Sequence, residues 1–167
     1  MRIVSLIYLS VVLISCKERK GYVDKVENEG DNVYSVTSDD DDMNNAIAKA
    51  RSTYDSFLKA FAKSDSNVNS YTVKLRFSNG ENDVEHMWLS DLHARGDNFY
   101  GVLDSDPVSI KRVKWGDTIE IKKDSVSDWM YLKDNKMIGG FTIMVLYDKM
   151  SKSEKDAFKK EISFDLK

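Results

Sequence analysis

The stretch Tyr71-Thr72-Val73-Lys74-Leu75-Arg76-Phe77-Ser78-Asn79-Gly80-Glu81 carries the fold. Apolar residues at 71, 73, 75 and 77 alternate with polar ones at 72, 74, 76 and 78, the period of a strand with one buried face. Asn79-Gly80-Glu81 turns the chain and Val84 to Leu89 returns, which predicts a β-hairpin. Neighbours in a strand face opposite ways. His86 and Trp88 therefore share one face of the returning strand, and Glu85 and Met87 share the other.

Upstream, Met43, Ala46, Ile47, Ala50, Tyr54, Phe57, Leu58 and Phe61 recur at three- and four-residue spacings, which predicts an amphipathic helix. Asp41 or Asp42 is expected to cap it, and the run Asp39 to Asp42 favours its positive end. That run lacks the loop spacing, glycine and bidentate Glu of an EF-hand.

Downstream, strands are expected at 99–103, at 118–121 and around 129–132, with 108–113 pairing at an edge. The apolar run Gly139-Gly140-Phe141-Thr142-Ile143-Met144-Val145-Leu146-Tyr147 suits a buried strand or a buried helical turn, and a strand is expected. Ser151-Lys152-Ser153-Glu154 is a capping box opening a last helix to about 161, with Ala157 and Phe158 inward. The order predicts an α+β domain: an N-terminal helix, a bent and mostly antiparallel sheet of five or six short strands turning toward a small barrel, and a C-terminal helix.

The N-terminus reads as an address. Arg2 precedes an apolar run from Ile3 to Ile14 interrupted only by Ser5 and Ser10. That run is too short for a bilayer, which needs about 20 residues, but it suits a signal peptide. It ends in Leu13-Ile14-Ser15-Cys16, which resembles the bacterial lipoprotein box. Residues 1–15 are thus expected to be cleaved, leaving Cys16 to take a thioether-linked diacylglycerol and a further acyl chain such as palmitate. Together these chains anchor a protein stably. Residues 16–42 then form the anchor and an acidic tether, expected to be extended and solvated: positions 17–42 hold four basic and nine acidic residues, a net of −5. The domain, 43–167, carries 20 basic and 19 acidic residues. Such neutrality excludes the basic footprint of a nucleic-acid binder.

Of 167 residues one is cysteine. This rules out an internal disulfide, thiolate zinc sites and iron–sulfur clusters. The phosphate-binding, zinc-protease and serine-hydrolase signatures are all missing from the sequence, and no cofactor is predicted. His86 and His93 are seven apart, an odd separation that puts them on opposite faces of a continuous strand. No metal site is expected from them.

The unusual words are Glu85-His86-Met87-Trp88-Leu89-Ser90-Asp91 and Asp128-Trp129-Met130-Tyr131. In a catalytic reading, Glu85, Asp91 or Asp128 orients His86 as a general base in a hydrolase-like site. In a structural reading, the rings are core and the carboxylates satisfy turn amides. A binding reading makes Trp88, Trp129 and Tyr131 recognition surface, with Gly139 and Gly140 admitting a partner's backbone.

Met43…Ala46…Lys49-Ala50-Arg51, Glu85-His86-Met87-Trp88…Asp91, Gly101-Val102-Leu103…Pro107, Lys114…Gly116-Asp117, Asp128-Trp129-Met130-Tyr131 and Lys136…Gly139-Gly140-Phe141-Thr142 together resemble a bacterial family, domain of unknown function 2314. The resemblance spans roughly 43–150 and implies a small bacterial domain, with no established activity, cofactor or catalytic residue to carry over. The expected function is that of a non-catalytic envelope lipoprotein, membrane-held through its lipid, that binds an envelope protein or component. A hydrolase-like enzyme and an immunity or inhibitor protein are the rivals.

Overall fold

The computed structural model describes residues 24–27, 32–35, 40–80 and 84–166. Cys16, the expected leader before it and most of the expected tether lie outside the described residues. Within the tether, β1 (Asp24–Glu27) and β2 (Asn32–Ser35) pair antiparallel, with Val26 opposite Val33. This corrects the expectation of an extended leash. Val26, Val33 and Tyr34 have high strand propensity, and Asn28, Gly30 and Asp31 between them in sequence are turn formers.

Helix α1 (Asp41–Lys63) begins one or two residues earlier than expected, so its cap is Asp40 and not Asp41 or Asp42. The Asp40 carboxylate accepts the Met43 amide at 3.0 Å and pairs with Lys149. Ala46, Ala50, Tyr54 and Phe57 are its buried stripe, as the spacing predicts.

The sheet runs β6-β5-β4-β3-β7-β8, every pair antiparallel: β3 (Val68–Ser78), β4 (Val84–Arg95), β5 (Asn98–Leu103), β6 (Thr118–Glu120), β7 (Val126–Lys133) and β8 (Lys136–Gly139). It is open, with β6 and β8 as edges, so the barrel expected from the sequence does not close. The central strands β3 and β4, of 11 and 12 residues, are longer than the short strands expected. A bulge between Ser90 and His93, with Asp91 at φ 45°, bends β4. The segment 108–113 forms no strand. Instead Ile110 turns into the core and the Glu85 carboxylate accepts the amides of Val108, Ser109 and Ile110.

One face of the sheet lies under α1. Phe57, Val73, Leu75, Leu89, Leu103 and Val126 are at most 3% exposed there. Trp129 joins them, its Nε1–H donating to the Ala50 carbonyl at 2.9 Å and its ring lying 5.4 Å from that of Phe57. Burying one such ring contributes about 2–3 kcal/mol.

The strand expected from Phe141 onward is a helix, α2 (Phe141–Lys149). Gly140, at φ 64°, occupies its N-cap without a side chain to cap it. The missing acceptor comes from Asp128, thirteen residues upstream, and a contact across that distance leaves no periodic trace in the sequence. The mostly apolar run is half-buried, with Thr142 fully so, because it packs against both α1 and β7. Helix α3 (Lys152–Glu161) opens with the predicted capping box, Ser151 with Glu154. Phe158 packs on Tyr147, but Ala157 points outward, contrary to expectation, because α3 is held chiefly by one narrow edge.

Candidate functional site

Parity along β3 and β4 places Lys74, Arg76, His86 and Trp88 on the sheet face opposite α1. Arg76 is directly across from His86, and Lys74 is directly across from Trp88 on one side and Asp128 on the other. The Lys74 ammonium lies 5.3 Å from the centre of the Trp88 ring, within cation–π range. Lys74, His86 and Trp88 are half-buried and Arg76 is exposed. From α1, the Arg51 Nε–H donates to the Val126 carbonyl at 2.7 Å, which fixes a third cationic group near the start of β7.

Asp128 is fully buried and wholly committed. Its Oδ1 accepts the amides of Trp129 at 2.8 Å and Phe141 at 3.1 Å, while Oδ2 accepts the Thr142 amide at 2.8 Å and hydroxyl at 2.6 Å. Burial pushes the carboxyl above its usual value, against the pull of the Thr142 hydroxyl and amide, the Trp129 amide and Lys74. Burial also pushes the Lys74 ammonium down, with Asp128 opposing. His86 is depressed to about 4, first by burial and then by the charges of Lys74, Arg76 and Arg51. At neutral pH its imidazole is uncharged.

Of the proposed catalytic groups, only His86 and Asp128 share this face. Glu85 lies on the other face, tied to the loop after β5. Burial would raise its carboxyl, but the Ser109 hydroxyl and the amides of Ser109, Val108 and Ile110 outweigh that and hold it low. Asp91 sits exposed in the bulge, where its carbonyl oxygen is 3.0 Å from His93 Nδ1. His93 stacks on Tyr100. Among the described residues, no group of three or more His, Cys, Asp or Glu is placed to hold a metal, and no helix is long and apolar enough to cross a membrane.

Of the proposed recognition residues, Trp88 alone is neither buried nor packed into the core. Trp129 is 5% exposed, and Tyr131 packs on Phe57, Tyr71 and Trp129. Gly139 and Gly140 are buried, and the close approach they permit is internal. A Cβ on Gly139, at φ 86°, would lie 2.2 Å from the Trp129 carbonyl oxygen, and one on Gly140 would lie 2.4 Å from the Met137 sulfur. Both glycines hold the β8–α2 corner against the sheet.

The sequence reading named no role for Lys74, Arg76 or Thr142. The alternation that put Lys74 and Arg76 on the polar face of β3 was the available signal; their meeting with His86 and Asp128 depends on strand pairing. Another unforeseen feature is Trp115, in the loop between β5 and β6, which is 64% exposed.

Comparison with known proteins fits these boundaries. The family described as an uncharacterized protein conserved in bacteria, DUF2314, matches residues 40–166, from the cap of α1 almost to the C-terminus. The chain is 33% identical over 120 residues to the "Uncharacterized protein YegJ" of Escherichia coli (strain K12), covering 72% of this chain and 76% of that protein. It is also 32% identical over 134 residues to a "Putative ankyrin repeat protein" of Neisseria meningitidis serogroup B, covering 75% of this chain and 53% of that one, so it spans about half the length of this second relative. No solved structure matches. A match running from the Asp40 cap through the β4 and β7 motifs to Leu166 shows that the chain belongs to the uncharacterised bacterial family DUF2314.

Proposed function

We propose that the chain is an envelope lipoprotein, held to a bacterial membrane through Cys16, whose domain binds an envelope component and catalyses no reaction. The observation that carries the binding reading is the division of labour between the motifs. Glu85 and Asp128 are committed to backbone amides, while Trp88, with Lys74 beside it, keeps part of its surface open. A half-open tryptophan next to a cation is a common recognition element, because it joins a large apolar area to a charge that selects the partner. The anchor rests on the Leu13-Ile14-Ser15-Cys16 box.

The test uses the full chain expressed in bacteria. Labelled palmitate should enter the wild-type protein, which should stay with carbonate-washed membranes, and Cys16→Ala should lose both. A Cys16→Ala chain that remained membrane-bound would remove the anchor. For binding, crosslinking in native membranes should give a discrete adduct that Trp88→Ala loses while keeping a native circular dichroism spectrum. An unchanged adduct in folded Trp88→Ala would overturn the role given to this face.

A further inference from the structure

Lys74, Arg76, His86 and Trp88 fall at adjacent cross-strand positions on one face, with the Arg51 guanidinium fixed nearby by the Val126 carbonyl. Two guanidiniums and the Lys74 ammonium, the last one weakened by burial, thus act on an imidazole that is uncharged at neutral pH. The carboxylate across from Lys74 is Asp128, whose oxygens already accept four hydrogen bonds, and Asp104, whose amide donates to the Trp88 carbonyl at 3.0 Å, lies exposed at the far side of Trp88 from Lys74. Positive charge gathered in a partly desolvated place is unfavourable unless an anion neutralises it. The exposed end of the cluster, at Arg76, leaves a route for that anion from solvent.

We propose that the Lys74–Arg76–His86–Trp88 face is a binding site for an anionic group, a phosphate or a carboxylate, carried by the molecule the domain recognises. This deepens the binding reading above and rests on it. Arg76 supplies a planar fork of donors suited to two anion oxygens, and Lys74 supplies a point charge. The Trp88 ring lies beside the site as an apolar platform for whatever bears the anion. A bound anion also changes His86: burial is the main reason the imidazole stays unprotonated, and the anion's negative charge offsets the cations that add to it. His86 is therefore a built-in reporter, and His93, half-buried farther along the same strand and stacked on Tyr100, is a reference outside the cluster.

The experiment follows both histidines by NMR in the full chain, with inorganic phosphate and with acetate added separately at constant ionic strength in chloride. The expected result is a rise of about one unit in the His86 midpoint, from about 4, with no matching rise at His93. Whichever anion acts at the lower concentration identifies the group as phosphate or carboxylate. Arg76→Gln, at an exposed position, should weaken the response at least tenfold in anion concentration; Lys74→Met should abolish it. A His86 midpoint unmoved by both anions would overturn the site, as would an equal rise in Arg76→Gln. If the anion response holds while the Trp88-dependent crosslink fails, this site stands and the envelope-partner reading falls; the reverse pattern removes the site alone.

Discussion

The two faces of the sheet use tryptophan in opposite ways. Trp129, under α1, has its Nε1–H bonded to Ala50 and its ring enclosed by Phe57, Tyr131 and Phe141. Trp88, on the other face, is half-buried and its ring lies under the Lys74 ammonium. Both occur in words that look alike in the sequence, an acidic residue followed by a tryptophan-containing apolar run. Strand parity and the position of α1 separate them. A motif of this kind thus says that a ring sits on a strand, and packing decides whether it is core or surface.

The sharpest way to break this comparison is truncation of the core ring. Trp129→Ala should lose about 3–5 kcal/mol in chemical denaturation, through the cavity left by the ring and the lost Nε1–H bond to Ala50. Next comes Asp128→Ala. It strands the amides of Phe141 and Thr142 with the Thr142 hydroxyl and should cost about 3 kcal/mol, together with loss of helical signal from α2.

A smaller effect is expected from acid. His86 has an ordinary value near 6.5 and a folded value of about 4, so its contribution is present above pH 6.5 and is lost as pH falls toward 4. Between pH 7.5 and pH 5 the wild type should lose about 2 kcal/mol more than His86→Gln. Equal acid sensitivity in the two proteins would mean that the imidazole is not desolvated beside those cations. The smallest effect belongs to Trp88→Ala, at about 1 kcal/mol or less, since it forfeits a cation–π contact and partial burial only. A loss matching that of Trp129→Ala would make both faces core and remove the contrast.

Local order in the sequence was enough for the elements with a clear period. The stripe from Ala46 to Phe61 announced α1, the alternation from Tyr71 to Phe77 announced β3, and Ser151 with Glu154 announced the start of α3. The site was half legible. Alternation put His86 and Trp88 on a common face away from Glu85, as the strand pairing bears out. The gathering of Lys74, Arg76 and Asp128 around them was not legible, because cross-strand partners lie ten to more than fifty residues apart in the chain. Helix α2 was misread for a related reason. Its run is apolar on most sides, so no period marks it, and its cap is a carboxylate on another strand.

By itself, then, the sequence determined which residues alternate, which stripe a helix must bury and which family the chain resembles, because those properties depend on neighbours within one or two turns. The tertiary structure alone decided that Trp129 is core and Trp88 is not, that Gly139 and Gly140 serve an internal corner, and that Asp128 caps a helix. It also decided that three cations meet around one uncharged histidine. Each of these depends on desolvation and on hydrogen bonds between distant segments, and such contacts come into being only when the sheet is assembled.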